Sequence, residues 1–199
     1  SHYYRKKDMI GKALKEDKIL LDSKFYKDYA LKNLGEYNYE IKSYAKARKY
    51  YNETLKLDSS IYKDLATFRL AYLDKNDKKY DESLKGFTKV IVVYPQSQYV
   101  ILSKINICEI YEVQNNIDKA IQAYKEVYSD PKADSYLEFL VEKLLILSLR
   151  KEDKINSDKY YKELTGLNKE TAKKYEQFLI KDKEEITDEK NVSNNDVKL

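Results

Sequence analysis

Asn33-Leu34-Gly35-Glu36-Tyr37-Asn38-Tyr39-Glu40-Ile41-Lys42-Ser43-Tyr44-Ala45-Lys46-Ala47-Arg48-Lys49-Tyr50-Tyr51 holds the pattern that decides the fold. A small residue follows a leucine (Leu34-Gly35), a second small residue comes twelve positions later (Ala47), and a ring comes four after that (Tyr51). The pattern returns as Leu70-Ala71, Ser83, Phe87, then as Ile107-Cys108, Ala120, Tyr124, and more weakly as Leu144-Leu145, Ser157, Tyr161. The second small residues follow one another at 36, 37 and 37 positions. A fixed period of this size marks stacked supersecondary units.

A hairpin of two helices accounts for the register. Residues four apart share a helical face, so each second helix presents a small residue beside a large one. Where helix axes approach to about 8–10 Å the contact residue must be small. Gly35 with Ala47, and Cys108 with Ala120, are the expected close pairs, with the rings filling the space between hairpins. Short polar turns separate the helices, Asp77-Lys78-Lys79 and Gln114-Asn115-Asn116. Breakers follow each second helix: Asp58-Ser59-Ser60, Tyr94-Pro95 and Asp130-Pro131. Proline past a helix end stops it, because its ring cannot extend the hydrogen-bond ladder.

Composition points the same way. Among 199 residues there are only four glycines and two prolines, too few turn signals for a sandwich or barrel. The expectation is an all-α, right-handed solenoid of antiparallel helical hairpins. Residues 1–22 read as a leading helix, with Ser1-His2 the remnant of a tag. Residues 23–165 read as an array of about four hairpins, the last degenerate. Residues 166–186 read as a closing helix capped by Asn168, and 187–199 as a disordered polar tail.

Asn33-Leu34-Gly35 through Tyr50-Tyr51-Asn52-Glu53-Thr54-Leu55-Lys56-Leu57-Asp58 resembles a tetratricopeptide repeat, as does the third copy ending Asp118-Lys119-Ala120-Ile121-Gln122-Ala123-Tyr124. Leu31 stands where that family often has tryptophan, and Leu145 lacks the small residue of the fourth copy. The 36–37-residue period and the joint Tyr94-Pro95-Gln96-Ser97-Gln98-Tyr99 resemble repeats of bacterial envelope proteins. These are the ones that accompany the outer-membrane assembly machine, the Tol-Pal system and the Sec translocon. The resemblance implies a non-catalytic scaffold or adaptor for a protein or peptide partner. It also implies a periplasmic or envelope location and a membrane tether in a preceding segment. The alternative is a cytoplasmic helical-repeat regulator that binds a short peptide.

In this family the first helix of each hairpin lines the inner groove. The resemblance therefore nominates Lys32, Asn33, Glu36 and Tyr39, then Phe68, Arg69 and Tyr72, then Asn106, Glu109 and Glu112. Phe68, Arg69 and Tyr72 form the densest hot-spot cluster among them. A clamp for a C-terminal carboxylate would need asparagine at Glu36, and a glutamate there repels a carboxylate.

Catalysis is not expected. The sole histidine is His2, so no triad or histidine-based metal motif can form. The four glycines are isolated and build no phosphate loop. Glu109 and Glu112 share a helical face as solvated carboxylates. No cofactor or metal is implied. Cys108, the only cysteine, reads as a buried structural thiol. The net charge of +4 is a small difference between 38 basic and 34 acidic residues, interspersed rather than gathered in a patch, so a nucleic-acid partner is not expected.

Overall fold

The structure is a computed structural model and describes residues 15–179. The expected tail, and the leading helix up to residue 14, lie outside the described residues. Residues 15–20 are helical (α1), and no strand occurs among the described residues. Helices α2 (Lys27–Glu40), α3 (Tyr44–Lys56), α4 (Lys63–Asn76), α5 (Tyr80–Val93) and α6 (Val100–Val113) follow. Then come α7 (Ile117–Tyr128), a 3-10 turn (Pro131–Tyr136), α8 (Leu137–Arg150), α9 (Lys154–Leu167) and the short α10 (Lys169–Lys173). The chain forms two compact units that part between Ile110 and Tyr111, inside α6.

In the first unit α2 packs on α3 and α4 on α5 as hairpins, and α3 packs on α4. One apolar cluster (Ala47, Tyr51, Ala66, Leu73) joins the first hairpin to the second. Another, Phe68, Ala71, Phe87, Val90 and Ile110, joins α4 and α5 to the start of the third repeat. In the second unit α8 and α9 form a hairpin, α7 packs against α8, and α10 packs against α9.

The second helix of every hairpin buries a single stripe. It reads Ala47, Tyr51, Thr54 in α3; Ser83, Phe87, Val90 in α5; Ala120, Tyr124, Val127 in α7; and Ser157, Tyr160, Leu164 in α9. The ring of the fourth copy is thus Tyr160 and not the expected Tyr161. Positions three and four apart face the same way on a helix, so either satisfies the stripe. The first helices, by contrast, are buried on more than one side, as Leu65, Ala66, Thr67 and Phe68 in α4 illustrate.

Small residues sit where the backbones meet, with one refinement. A Cβ added to Gly35 would fall 2.6 Å from a ring carbon of Tyr51, so in the first hairpin the glycine makes room for the ring itself. In the second, Ser83 donates its hydroxyl to the Ala71 carbonyl at 2.8 Å. A Cβ on Gly86 would meet the Ala71 Cβ at 2.6 Å, so Gly86 joins Ser83 in setting the close approach.

Each hairpin turns over three residues, and the middle one is left-handed: Lys42, Lys78, Asn115 and Glu152, with φ between 56° and 60°. The next amide closes a long bond back to the helix: Ser43 to Asn38, Lys79 to Asp74, Asn116 to Tyr111 and Asp153 to Ser148, at 2.8–3.0 Å. This is a Schellman closure, usually built with glycine, made here four times without one. The left-handed residues recur at 36, 37 and 37 positions, the interval of the small residues.

The closing helix differs from expectation. Asn168 does cap, accepting the Glu170 and Thr171 amides at 3.1 and 3.0 Å. The helix it starts lasts only five residues, and helical structure resumes at 176 after a turn.

Candidate functional site

First helices of successive hairpins meet with an offset of about 33 residues. Within the first unit this offset brings the nominated side chains of α2 and α4 together. Glu36 accepts from Arg69 through both oxygens, Nε at 2.8 Å and Nη2 at 2.6 Å. The fork geometry suits guanidinium and carboxylate. Tyr51 of α3 donates its hydroxyl to the same carboxylate at 2.5 Å. The Arg69 guanidinium also lies 4.6 Å from the centre of the Tyr39 ring. Burial pushes the Glu36 carboxyl up, but the bonds from Arg69 and Tyr51 outweigh it and hold the group below its ordinary range. Burial and the charged acceptor together push the Tyr51 hydroxyl well up.

Lys75, which the sequence did not nominate, extends the strip. Its ammonium donates to Asn106 Oδ1 at 2.7 Å and to Glu109, and lies 5.6 Å from the Tyr72 ring centre. At the other end Lys32 donates to Asn33 at 3.3 Å and stands 5.9 Å from the rings of both Tyr29 and Tyr62. Asn33 in turn donates to Asp17 at 3.2 Å. In the second unit Glu112 accepts from Tyr124 and pairs with Lys143 at 3.1 Å.

Not every nominated residue faces outward. Phe68 and Asn106 are each only 5% exposed. Phe68 stacks on Tyr99 with centroids 4.9 Å apart and leans on Phe87 at 5.7 Å. Beside it, through Tyr72, begins a row of rings. Tyr44 and Tyr39 are 5.8 Å apart, Tyr39 and Tyr72 are 6.3 Å apart, and Tyr72 is 6.3 Å from Phe68. Tyr44 is exposed and the other two tyrosines are half-buried. Reading by hairpin missed Tyr29, Tyr44, Tyr62, Lys75 and Tyr99. The spacing of 33 residues in the sequence between one ring and the next (Tyr29 and Tyr62, Tyr39 and Tyr72) and between acid and base (Glu36 and Arg69) is the signal that could have found several of them.

Among solved structures, the crystal structure of MamA, a tetratricopeptide-like protein, superposes with a TM-score of 0.66 at 17% identity. The match covers 85% of this chain and 94% of MamA. The fold is tetratricopeptide-like. BtubC (BKLC) from P. vanneervenii shares it at a TM-score of 0.62 and 14% identity, over 85% of this chain and 75% of BtubC. No protein-family model and no curated protein matches the sequence. Likeness at these identities concerns the tetratricopeptide-like backbone alone. The tyrosine row and the forked ion pair are properties of this chain's own side chains.

Proposed function

We propose that the chain is a non-catalytic protein-interaction scaffold that binds a protein or peptide partner through the first-helix face of its first unit. The observation that carries this reading is the strip itself. Side chains from α2, the start of α3 and α4 form one row of rings, with the ion-paired Arg69 against Tyr39 and the ion-paired Lys75 against Tyr72. Aromatic and arginine residues anchored this way are the usual hot spots of interfaces. Nucleic acid is a poor occupant, because Arg69 and Lys75 are already engaged by Glu36 and by Glu109 with Asn106 and offer phosphate little uncompensated charge.

We further propose that the scaffold works in bacterial cell-envelope assembly or protein translocation, tethered to a membrane through a preceding segment. The joint Tyr94-Pro95-Gln96-Ser97 supports this reading. Ser97 there ties back to Asp64 at 2.6 Å and fixes the entry to the third repeat. Two experiments test the proposals. Affinity capture from the native cell with the wild type and with Tyr39→Leu/Tyr72→Leu should lose specific partners in the variant while its melting temperature holds. Partners recovered equally by a folded variant refute the face. Cell fractionation should recover the native protein with the envelope, and a purely cytosolic distribution refutes that location.

A further inference from the structure

We propose that the occupant of the tyrosine row is an uncharged, proline-rich segment of the partner in the polyproline II conformation. The inference rests on the interaction reading above and adds the chemistry of the ligand. The shape of the row comes first. Tyr44, Tyr39 and Tyr72 are not coplanar: neighbouring planes meet at 57° and 65°. A base stacks on any single ring, so it is the compensated charge of Arg69 and Lys75, and not the tilt, that disfavours nucleic acid here. Tilted neighbours present ring faces and edges in turn, the kind of aromatic lining against which proline-rich segments dock.

Charge is the second constraint. The bases bordering the row are neutralised from within, Arg69 by the bidentate Glu36 and Lys75 by Glu109. An acidic ligand would have to compete with a carboxylate already in place. A basic one would meet Arg69 and Lys75 beside the acids it seeks. Uncharged ligand backbone suffers neither conflict. Polyproline II makes no internal hydrogen bonds and leaves its carbonyls free for donors such as tyrosine hydroxyls. The scale also agrees: at ~3.1 Å per residue, about four residues of that helix span the steps from Tyr44 to Tyr39 and on to Tyr72, which are 5.8 Å and 6.3 Å. Its preformed shape also limits the ordering cost of binding.

The test uses the full chain and fluorescence anisotropy with labelled decaproline. Length-matched glutamate-rich and lysine-rich peptides and an oligothymidylate of similar length serve as rival probes. Decaproline should bind best, with a dissociation constant that changes less than about threefold between roughly 50 and 500 mM salt. Tyr72→Leu and Tyr44→Ala should each weaken it about tenfold. Tyr44 is the second variant because its exposed ring can be removed without touching the core. Preference for a charged peptide or the oligonucleotide, with binding lost in both tyrosine variants, overturns the proline assignment and leaves the interaction face standing. A random peptide display on the same protein separates the remaining case. Enriched sequences insensitive to both variants, or no enrichment from a folded protein, overturn the face and the proline assignment together.

Discussion

Replacing Gly35 with alanine pits two known effects against each other. Gly35 lies inside α2, where alanine is favoured over glycine by about 1 kcal/mol in helix propensity. The new methyl carbon would sit 2.6 Å from Cε1 and 2.9 Å from Cδ1 of Tyr51. That ring is 1% exposed and cannot swing aside cheaply, because its hydroxyl is bonded to Glu36, itself gripped by Arg69. Giving up a hydrogen bond to a charged acceptor costs about 1.5–3 kcal/mol. The ring therefore stays, and the strain belongs to the upper part of the ~1–3 kcal/mol range for overpacking. The steric effect wins, and Gly35→Ala should destabilise by about 1–2 kcal/mol net. For a chain of this length that lowers the melting temperature by about 2–8 °C. Thermal and urea unfolding followed by far-ultraviolet circular dichroism provide the measurement. Tyr51→Phe frees the ring from its tether, so the same glycine change should cost less in that background. A Gly35→Ala protein as stable as the wild type, or more so, refutes the argument.

The other predictions concern charge, core and turns. Because the Glu36 carboxyl titrates below its unfolded value, the ionised form stabilises the fold above about pH 4.5, and that contribution is lost as the pH falls through the folded pKa. Glu36→Gln should flatten this part of the stability-against-pH curve, and a curve as steep as the wild type's places the acid sensitivity elsewhere. Phe68→Ala should cost about 3–5 kcal/mol as a core truncation, read by urea unfolding, whereas a loss below about 1 kcal/mol would mean the ring is not core. Lys78→Gly removes the Cβ from a left-handed residue, a gain of roughly 1–2 kcal/mol, against about 0.5–1 kcal/mol for the freer unfolded chain. The protein should gain up to about 1.5 kcal/mol, read by urea unfolding, with a smaller gain at Asn115, which tolerates that conformation better.

The hairpins were legible because the register of small and large residues is a local consequence of helix geometry. Ala47, Ser83, Ala120 and Ser157 are all buried on second helices, each of which has one buried stripe. Gly86 escaped notice because Ser83 already filled the expected role. The left-handed turns carried no glycine to announce them. The site was legible only in part. Arg69 and Glu36 were nominated separately, but nothing in one hairpin's sequence says that they clasp each other, since that depends on the offset between stacked helices. The family resemblance places Phe68 on the groove-lining face, whereas it is only 5% exposed. It is buried because α4 packs on more than one side, which leaves a first helix only a narrow outward stripe.

The clasp between Glu36 and Arg69 has a consequence for how the first unit opens. It exists only when both hairpins are formed, so it belongs to their interface and to neither hairpin alone. In a linear array such nearest-neighbour terms decide whether units melt one at a time or together. The Tyr51 hydroxyl extends the link to α3, so three helices share one carboxylate. In native-state hydrogen exchange, the central amides of α2, α3 and α4 should therefore report one opening free energy rather than a gradient falling toward the N-terminal end. Neutralising the carboxylate should restore the gradient by letting the first hairpin fray by itself.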